Sequence, residues 1–309
     1  MAGIPWTEKE KQDLISYVET GNYSYRQLSK ILNRTKDSLQ LKAREMGLNN
    51  KYIHHLYTYD INYFKVPNYR NSYWAGWLAA DGSIGKYNTT NYVLRWRMNI
   101  IDLKKLEEFK NDIKFNGPIR FIKNISSYSG NVSDHVTLDV GRIDIESSGL
   151  INNFGIEPNK TYRLQKPSIK EKELQLAFLI GYINGDGCIH FQQKTKNIII
   201  KFTSSSVIML QWIKDLIEKL GLPRKTSRIK NIRKISHANC YEYSISGLSA
   251  IYLFELLKQV PVPVLDRKWN NPIVLNGISE IKAKHPEWFT ESIKSIMENN
   301  NIDFSRKFV

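Results

Sequence analysis

The chain has 309 residues, a formal net charge of +15 at neutral pH and 41% hydrophobic residues. That length and apolar content suit two domains, or one large pseudo-repeated domain with an appendage, and argue against global disorder. The positive excess points to a polyanionic partner, and with no run near the ~20 apolar residues of a membrane span and no amphipathic basic helix, nucleic acid is favoured over a membrane.

Residues 1–50 read as a small all-α module of three short helices. Thr7 with Glu10 and Ser24 with Gln27 form capping boxes ahead of Leu14, Ile15 and Val18 and of Leu28, Ile31 and Leu32. Thr35 can cap a third helix with Leu39, Ala43 and Met46 on one face and Gly47 as its stop. Lys36, Gln40, Lys42 and Arg44 fall on its exposed side. A polar, basic third helix after a tight turn is what a helix-turn-helix domain presents to the major groove. Pro5-Trp6-Thr7 and the Arg34–Leu48 stretch resemble Myb/SANT-like helix-turn-helix domains; a plain three-helix bundle with a solvated face is the alternative. Residues 51–72, rich in Tyr and Asn, lack a helical period and read as a semi-ordered linker, extended over Tyr57–Val66, whose aromatic and basic side chains can lie along DNA; a packing role for its tyrosines is the equal alternative.

Two segments then share one pattern. Trp74–Gly82 and Leu179–Gly187 are apolar, carry small residues four apart (Gly76/Ala80 and Gly181/Gly185), and end in Asp-Gly. Residues at i and i+4 share a helix face, so each segment reads as a helix with a nearly bald stripe, and two such stripes can pack with backbones close together. The helices would end side by side in Asp81 and Asp186. A helix C-terminus disfavours anions and paired carboxylates repel, so the arrangement calls for a cation between them. Carboxylate and carbonyl oxygens suit Mg²⁺ rather than zinc.

Each segment opens the same order of elements. After the first come strands Ser83–Tyr87 and Tyr92–Asn99, the latter alternating Arg95, Arg97 and Asn99 with Leu94, Trp96 and Met98. A helix capped by Asp102 follows, then strands near 119–122 and 135–140 and a helix through 145–152. The second pass runs Cys188–Gln193, Asn197–Thr203, a helix from Ser206 to Leu220, strands near 227–232 and 241–245, and a helix from Leu248 to Lys258. The fold class is α+β: an αββαββα repeat, twice (73–166 and 167–270), whose polar sheet faces line one saddle. The basic residues fall where a DNA saddle needs them: Arg95 and Arg97 with Asn99, then His190, Gln192 and Lys201, and Arg224, Lys225, Arg228, Lys230 and Arg233 in an acid-free run.

The paired segments resemble the motif of single-chain, pseudo-symmetric LAGLIDADG homing endonucleases, over about residues 70–270. The resemblance implies a site-specific, Mg²⁺-dependent DNA endonuclease that leaves short 3′ overhangs and acts as a monomer on double-stranded DNA. It places the metal on Asp81 and Asp186, helped by the carbonyls of Ala80 and Gly185, with two or three Mg²⁺ ions for which Mn²⁺ substitutes. The earlier acid of the motif is replaced by Ala79 and Asn184; that position is not a ligand. The family also places a basic residue near each centre, which maps to Lys160 and Lys268, where an ammonium stabilises developing negative charge or orients water. Asn99 and Ser204 could position water as well. An RNA intron maturase and a non-catalytic DNA-binding regulator are the rivals, and retention of both aspartates favours the nuclease. Cys188 and Cys240 give neither a disulfide framework nor a zinc site, consistent with an intracellular setting, the cytoplasm or nucleoid of a bacterial or phage host or an organelle. Residues 271–309 read as a tail with one helix over Pro286–Asn299.

Overall fold

The computed structural model describes residues 5–20, 23–48, 57–86, 92–125, 132–143, 148–223, 229–235 and 238–308. Arg224, Lys225 and Arg228 lie outside these residues, as does the side chain of Arg233. The chain divides into two compact units, residues 1–59 with 114–117, and residues 60–113 with 118–309.

The smaller unit contains α1 (Glu8–Thr20), α2 (Tyr25–Ile31) and α3 (Lys36–Glu45). Both expected capping boxes form. The Thr7 N–H donates to Glu10 Oε2 at 2.8 Å and the Glu10 N–H returns to Thr7 Oγ1 at 3.2 Å, and Ser24 and Gln27 repeat the exchange. Thr35 Oγ1 accepts from the Ser38 N–H at 3.2 Å and so starts α3. Leu14, Leu28, Leu39 and Ala43 are fully buried between the helices. Arg34 adds a lock at the α2–α3 turn, donating Nε to Glu10 at 2.9 Å while its guanidinium stacks over Trp6. Lys36, Gln40 and Arg44 are exposed, and half-buried Lys42 pairs with Glu45.

The larger unit is a duplicated α+β assembly. Its first half runs α4 (Tyr69–Asp81), β1 (Gly82–Lys86), β2 (Tyr92–Asn99), α5 (Leu103–Asp112), β3 (Arg120–Ile125), β4 (Val132–Ile143) and α6 (Leu150–Phe154). Its second half runs α7 (Lys172–Asp186), β5 (Gly187–Gln192), β6 (Asn197–Ser204), α8 (Val207–Lys219), β7 (Lys230–Ile235), β8 (Ala238–Ser246) and α9 (Leu248–Leu257). Each half folds into an antiparallel four-stranded sheet, ordered β1-β2-β4-β3 and β5-β6-β8-β7. On β2 the expected alternation holds: Leu94, Trp96 and Met98 are buried, while Arg95, Arg97 and Asn99 face out.

The halves meet along α4 and α7, and the small residues explain how. A Cβ on Gly76 would stand 1.9 Å from the Phe178 carbonyl oxygen, and one on Gly181 would stand 1.9 Å from that of Tyr73. Lower down, a Cβ on Gly185 would meet Ala80 Cβ at 2.3 Å. The stripe therefore lets backbone touch backbone, with Tyr73, Trp74, Ala75, Trp77, Leu179 and Tyr182 buried about it.

Several expectations change. The segment 51–72 is not a loose linker from residue 60 onward: Tyr57–Val66 holds no strand, Phe64 is buried, and the Asn71 amide donates to the carbonyls of Tyr63 and Val66 at 2.7 and 2.8 Å. The helix then begins at Tyr69 because Asn68 and Asn71 form a capping box. Asp102 precedes α5 without a side-chain capping bond. The expected helix over Pro286–Asn299 breaks into a short 3₁₀ turn, Pro286–Trp288, and α12 (Ile293–Asn299), because Ser292 caps a fresh start. Ahead of it lie α10 (Asp266–Trp269) and an unforeseen α11 (Pro272–Lys284), capped by Asn271 with proline in its first turn.

The tail fastens both central helices. Lys172 Nζ donates to the Asn300 carbonyl at 3.0 Å, the Asp303 N–H donates to buried Glu173 Oε1 at 3.0 Å, and Phe308 meets Tyr69 edge-on. These contacts bind the first turns of α7 and α4 to one strap.

Substituting Gly181→Ala forces the two helices apart and should destabilise the protein by about 3 kcal/mol or more, at the upper end of overpacking costs. Gly85→Ala, where an added Cβ meets nothing within 4 Å, should change stability little. Urea denaturation of both variants checks the contrast; equal effects would mean that the seam is not tight.

Candidate functional site

The close seam delivers two aspartates to the same end of the helix pair. Asp81 and Asp186 are the last residues of α4 and α7, and each chain then passes straight into a strand through an extended glycine. Trp77 Nε1 donates to Asp81 Oδ2 at 3.0 Å, and a Cβ on Gly185, the neighbour of Asp186, would stand 3.1 Å from that same oxygen. Both side chains reach solvent, yet the surrounding protein strips part of their hydration. Asp81 is raised above the ordinary carboxylate value for that reason, and Asp186 is pushed up to about 6, first by lost hydration and then by the charge of Asp81.

Each helix end also holds its own lysine. Lys160 opens a 3₁₀ turn after Asn159, and its Nζ donates to the carbonyls of Ala79 and Ala80 at 2.6 and 2.9 Å. Lys268, on α10, places its Nζ within 2.6 to 3.0 Å of the carbonyl oxygens of Ile183, Asn184, Gly185 and Gly187. An ammonium at the negative end of a helix satisfies carbonyls that lack intrahelical partners. The carbonyls of Ala80 and Gly185, expected to help hold a metal, thus accept from lysine, each keeping a second lone pair. Burial lowers both lysines to about 8, and in Lys268 the neighbouring charge of Arg267 acts in the same direction.

The segments carrying these lysines are anchored on the opposite repeat. Arg267 grips buried Asp102 with two bonds, Nε at 3.2 Å and Nη2 at 2.9 Å, reaching from the second repeat to the β2–α5 corner of the first. At the matching β6–α8 corner, Ser206 Oγ donates to the Leu164 carbonyl at 2.7 Å, holding the Lys160 segment. Asn184 is a third crossing: its amide nitrogen donates to Tyr73 OH at 3.0 Å, and its oxygen accepts from Trp269 Nε1 at 2.8 Å. A neutral amide here suits full burial, which accounts for a non-acidic residue at this motif position.

On the sheet faces, Arg95 and Arg97 project from β2, but the Asn99 carboxamide accepts the Ile101 N–H at 3.1 Å and Ser204 Oγ accepts the Ser206 N–H at 3.0 Å. Both residues therefore also serve corner turns, through one acceptor atom each. His190 and Gln192 alternate with buried Ile189 and Phe191 on β5. His190 lies 3.7 Å from Cys188 Sγ through Nδ1, and burial and Lys201 hold its pKa below the ordinary histidine value. Lys201 pairs with Glu242 at 3.4 Å, and Lys230 is in register with Glu242 from β7. Sequence reasoning missed Asp102 as an anchor, and with it Arg267, as well as Trp269 beneath Asn184. The run Arg267-Lys268-Trp269 was the one local signal available.

Among the described residues no group of three or more His, Cys, Asp or Glu side chains converges. An all-protein metal cage is therefore not what these residues form. Two carboxylates with incomplete hydration, flanked by carbonyl oxygens, suit an ion that keeps waters and takes further oxygens from a phosphate, as Mg²⁺ does. No helix among the described residues is long and apolar enough to cross a membrane.

Residues 173–257, from α7 through α9, match a family model described as a LAGLIDADG-like domain. No curated protein matches the chain by sequence. Among solved structures, the chain is similar to the I-LtrWI LAGLIDADG homing endonuclease bound to target DNA, at 18% identity over 77% of this chain and 99% of that one, with a TM-score of 0.40. It is also similar to I-GzeII in complex with its DNA target, at 14% identity over 77% and 100% with a TM-score of 0.44. A third is I-WcaI bound to its DNA recognition sequence, at 15% identity over 67% and 90% with a TM-score of 0.44.

Lys268→Met leaves four carbonyl oxygens without their shared donor and should cost about 1–3 kcal/mol or more at pH 7. Because the lysine pKa falls from 10.5 to about 8 on folding, the unfolded chain binds more protons between those values. Wild-type stability should therefore rise relative to the variant as pH increases through that window. Chemical denaturation of both proteins from pH 7 to 10 reads the difference, and a flat difference would contradict the buried-ammonium assignment.

Proposed function

We propose that this chain is a site-specific double-strand DNA endonuclease of the LAGLIDADG homing type, cutting one phosphodiester bond in each strand with Mg²⁺ held at Asp81 and Asp186. The observation that carries the reading is the duplicated helix end: two carboxylates from two repeats, brought to one seam, each with its own half-buried lysine. A DNA duplex supplies two phosphodiesters related by a dyad, and a duplicated centre is what such a substrate needs. The LAGLIDADG-like match over α7–α9 agrees with this.

Asp81 and Asp186 would hold the ions, two or three in number and replaceable by Mn²⁺, with the free lone pairs of the Ala80 and Gly185 carbonyls beside them. Ions in such a site lower the pKa of bound water and neutralise charge on the leaving 3′ oxygen. Lys160 and Lys268, fixed by helix-end carbonyls, present positive charge beside the same centre, where a pentavalent phosphorane-like charge distribution develops. The Arg95–Arg97 face of one sheet and the His190, Gln192, Lys201 and Lys230 face of the other give the two halves of a DNA saddle. Phosphate contacts there set salt-dependent affinity, and base-edge contacts set sequence. Reaching both strands across a minor groove would yield short 3′ overhangs and require duplex bending that adds to selectivity. The helix-turn-helix-like unit, with Lys36, Gln40, Lys42 and Arg44 on α3, extends the footprint, and a single chain suffices as a monomer because both halves are present in it.

The test is cleavage of a plasmid carrying the uninterrupted sequence that flanks the gene, with Mg²⁺ or with EDTA. Asp81→Asn and Asp186→Asn should each lower double-strand cutting by at least about 100-fold while changing DNA binding only a few-fold, and EDTA should stop the wild type. Normal cutting by either variant would refute the assignment. Tight binding with no cutting in Mg²⁺ or Mn²⁺ would instead favour a DNA-binding regulator, and preference for intron RNA would favour a maturase.

A further inference from the structure

One acid stands where a DNA-facing sheet would be expected to carry only cations and neutral groups. Asp139 lies on β4, in register with Arg95 of β2, and on the same outward face. It accepts Arg95 Nε at 3.1 Å on Oδ1 and Arg120 Nη2 at 3.0 Å on Oδ2, so a single carboxylate bridges arginines from the strands on either side. Thr137 Oγ1 adds a bond to Oδ1 at 3.3 Å, fixing the carboxylate itself. Asp139 is only 14% exposed, whereas Arg95 and Arg120 are 60% and 61% exposed. The acid lies under the arginines and the arginines face out.

Stability does not explain this placement. Ion pairs whose cations are mostly solvated contribute little to folding, while a carboxylate on this face repels a phosphate backbone. Its other effect is geometric. A lone arginine on an open sheet samples many rotamers and loses that freedom on binding, whereas one held by a second group has lost part of it already. The bond to Arg95 uses Nε and leaves the end-on pair of Nη groups, the fork that matches guanine O6 and N7 in the major groove. The bond to Arg120 takes one hydrogen of Nη2, leaving its second hydrogen and Nη1 for the same fork.

The second sheet offers a built-in comparison. At corresponding places its cations are Lys201 on β6 and Lys230 on β7, with Glu242 of β8 3.4 Å from Lys201 and in register with Lys230. The plan is similar, an acid on the strand between two bases, but Glu242 is in register with Thr203 and Ser244 stands opposite Lys201. Lysine, however, is a mobile point charge with no planar fork, so it supplies phosphate attraction better than base discrimination.

We infer that Asp139 is a positioning residue for sequence readout, holding Arg95 and Arg120 as two oriented forks for guanine edges in the half-site under the first sheet. The inference rests on the chain acting on a DNA duplex and adds which half discriminates, by what chemistry, and through which buried acid. The second half-site, under Lys201 and Lys230, is read more loosely.

Selection from a duplex library with a randomised central stretch tests this, using the full chain in EDTA so that binding alone is scored. The wild type should enrich guanine at one or two positions confined to one half of the motif. Arg95→Ala or Arg120→Ala should remove it there. Asp139→Asn should weaken the same guanine preference about tenfold or more, within the range of one good bidentate base contact, while leaving the other half of the motif intact. Its affinity for a duplex of unrelated sequence should rise, since a negative charge has left the interface. An Asp139→Asn motif with the wild-type guanine preference overturns the inference, as does a wild-type motif without guanine at the arginine-dependent positions. Failure of the wild type to enrich any duplex would strike the endonuclease reading itself, and so differs from a failure seen only in the variants.

Discussion

Two carbonyl oxygens decide the architecture of the larger unit. Those of Phe178 and Tyr73 occupy the space where Gly76 and Gly181 lack a Cβ, and nothing bulkier than hydrogen fits between them. The approach fixes the spacing of α4 and α7, and through it the spacing of everything attached to their ends. The sheets follow because each helix runs without a loop into its first strand. The aspartates follow because each ends its helix.

That geometry concentrates charge in an unfavourable way and then relieves it. Two helix termini of the same sign and two carboxylates meet at one place, and lost hydration raises both acids above the ordinary value. Lys160 and Lys268 offset part of the strain by bonding the helix-end carbonyls, although burial lowers the pKa of each to about 8. Neither lysine would stay in place on a free loop. Arg267 on Asp102 and Leu164 on Ser206 tie each lysine-bearing segment to the other repeat, so each centre depends on both halves of the unit.

Much of this was legible from local pattern. Alternation on β2, capping boxes at Thr7 and Ser24, and small residues four apart ahead of Asp81 and Asp186 are signals written within one element. Periodicity carries them because backbone geometry alone sets which residues share a face. The β-strands near 119–122 and 135–140 were found but drawn short, as ends usually are. What stayed hidden depends on residues far apart in the chain. Asp102 looked like a helix cap because an aspartate before a helix usually is one, yet its partner is Arg267. Asn99 and Ser204 also close their own corners, an engagement that alternation along a strand does not reveal. α11 has a readable start at Asn271-Pro272, with Val274, Ile278 and Ile281 at helical spacing, so its signal too is local.

The tail contacts bear on how this protein is made. The strap joins Tyr69 to Asp303, 234 positions later in the chain, and reaches Glu173 on the way. Closing a loop of that length costs conformational entropy that nearby contacts do not incur, although the cost grows only slowly with length. On a ribosome, the first repeat emerges with its glycine-lined helix unmatched until α7 arrives, and the clasp over both helices forms only after every strand has been synthesised. The 300–308 segment thus makes, at the first turns of α4 and α7, long-range contacts that the glycine seam alone does not supply.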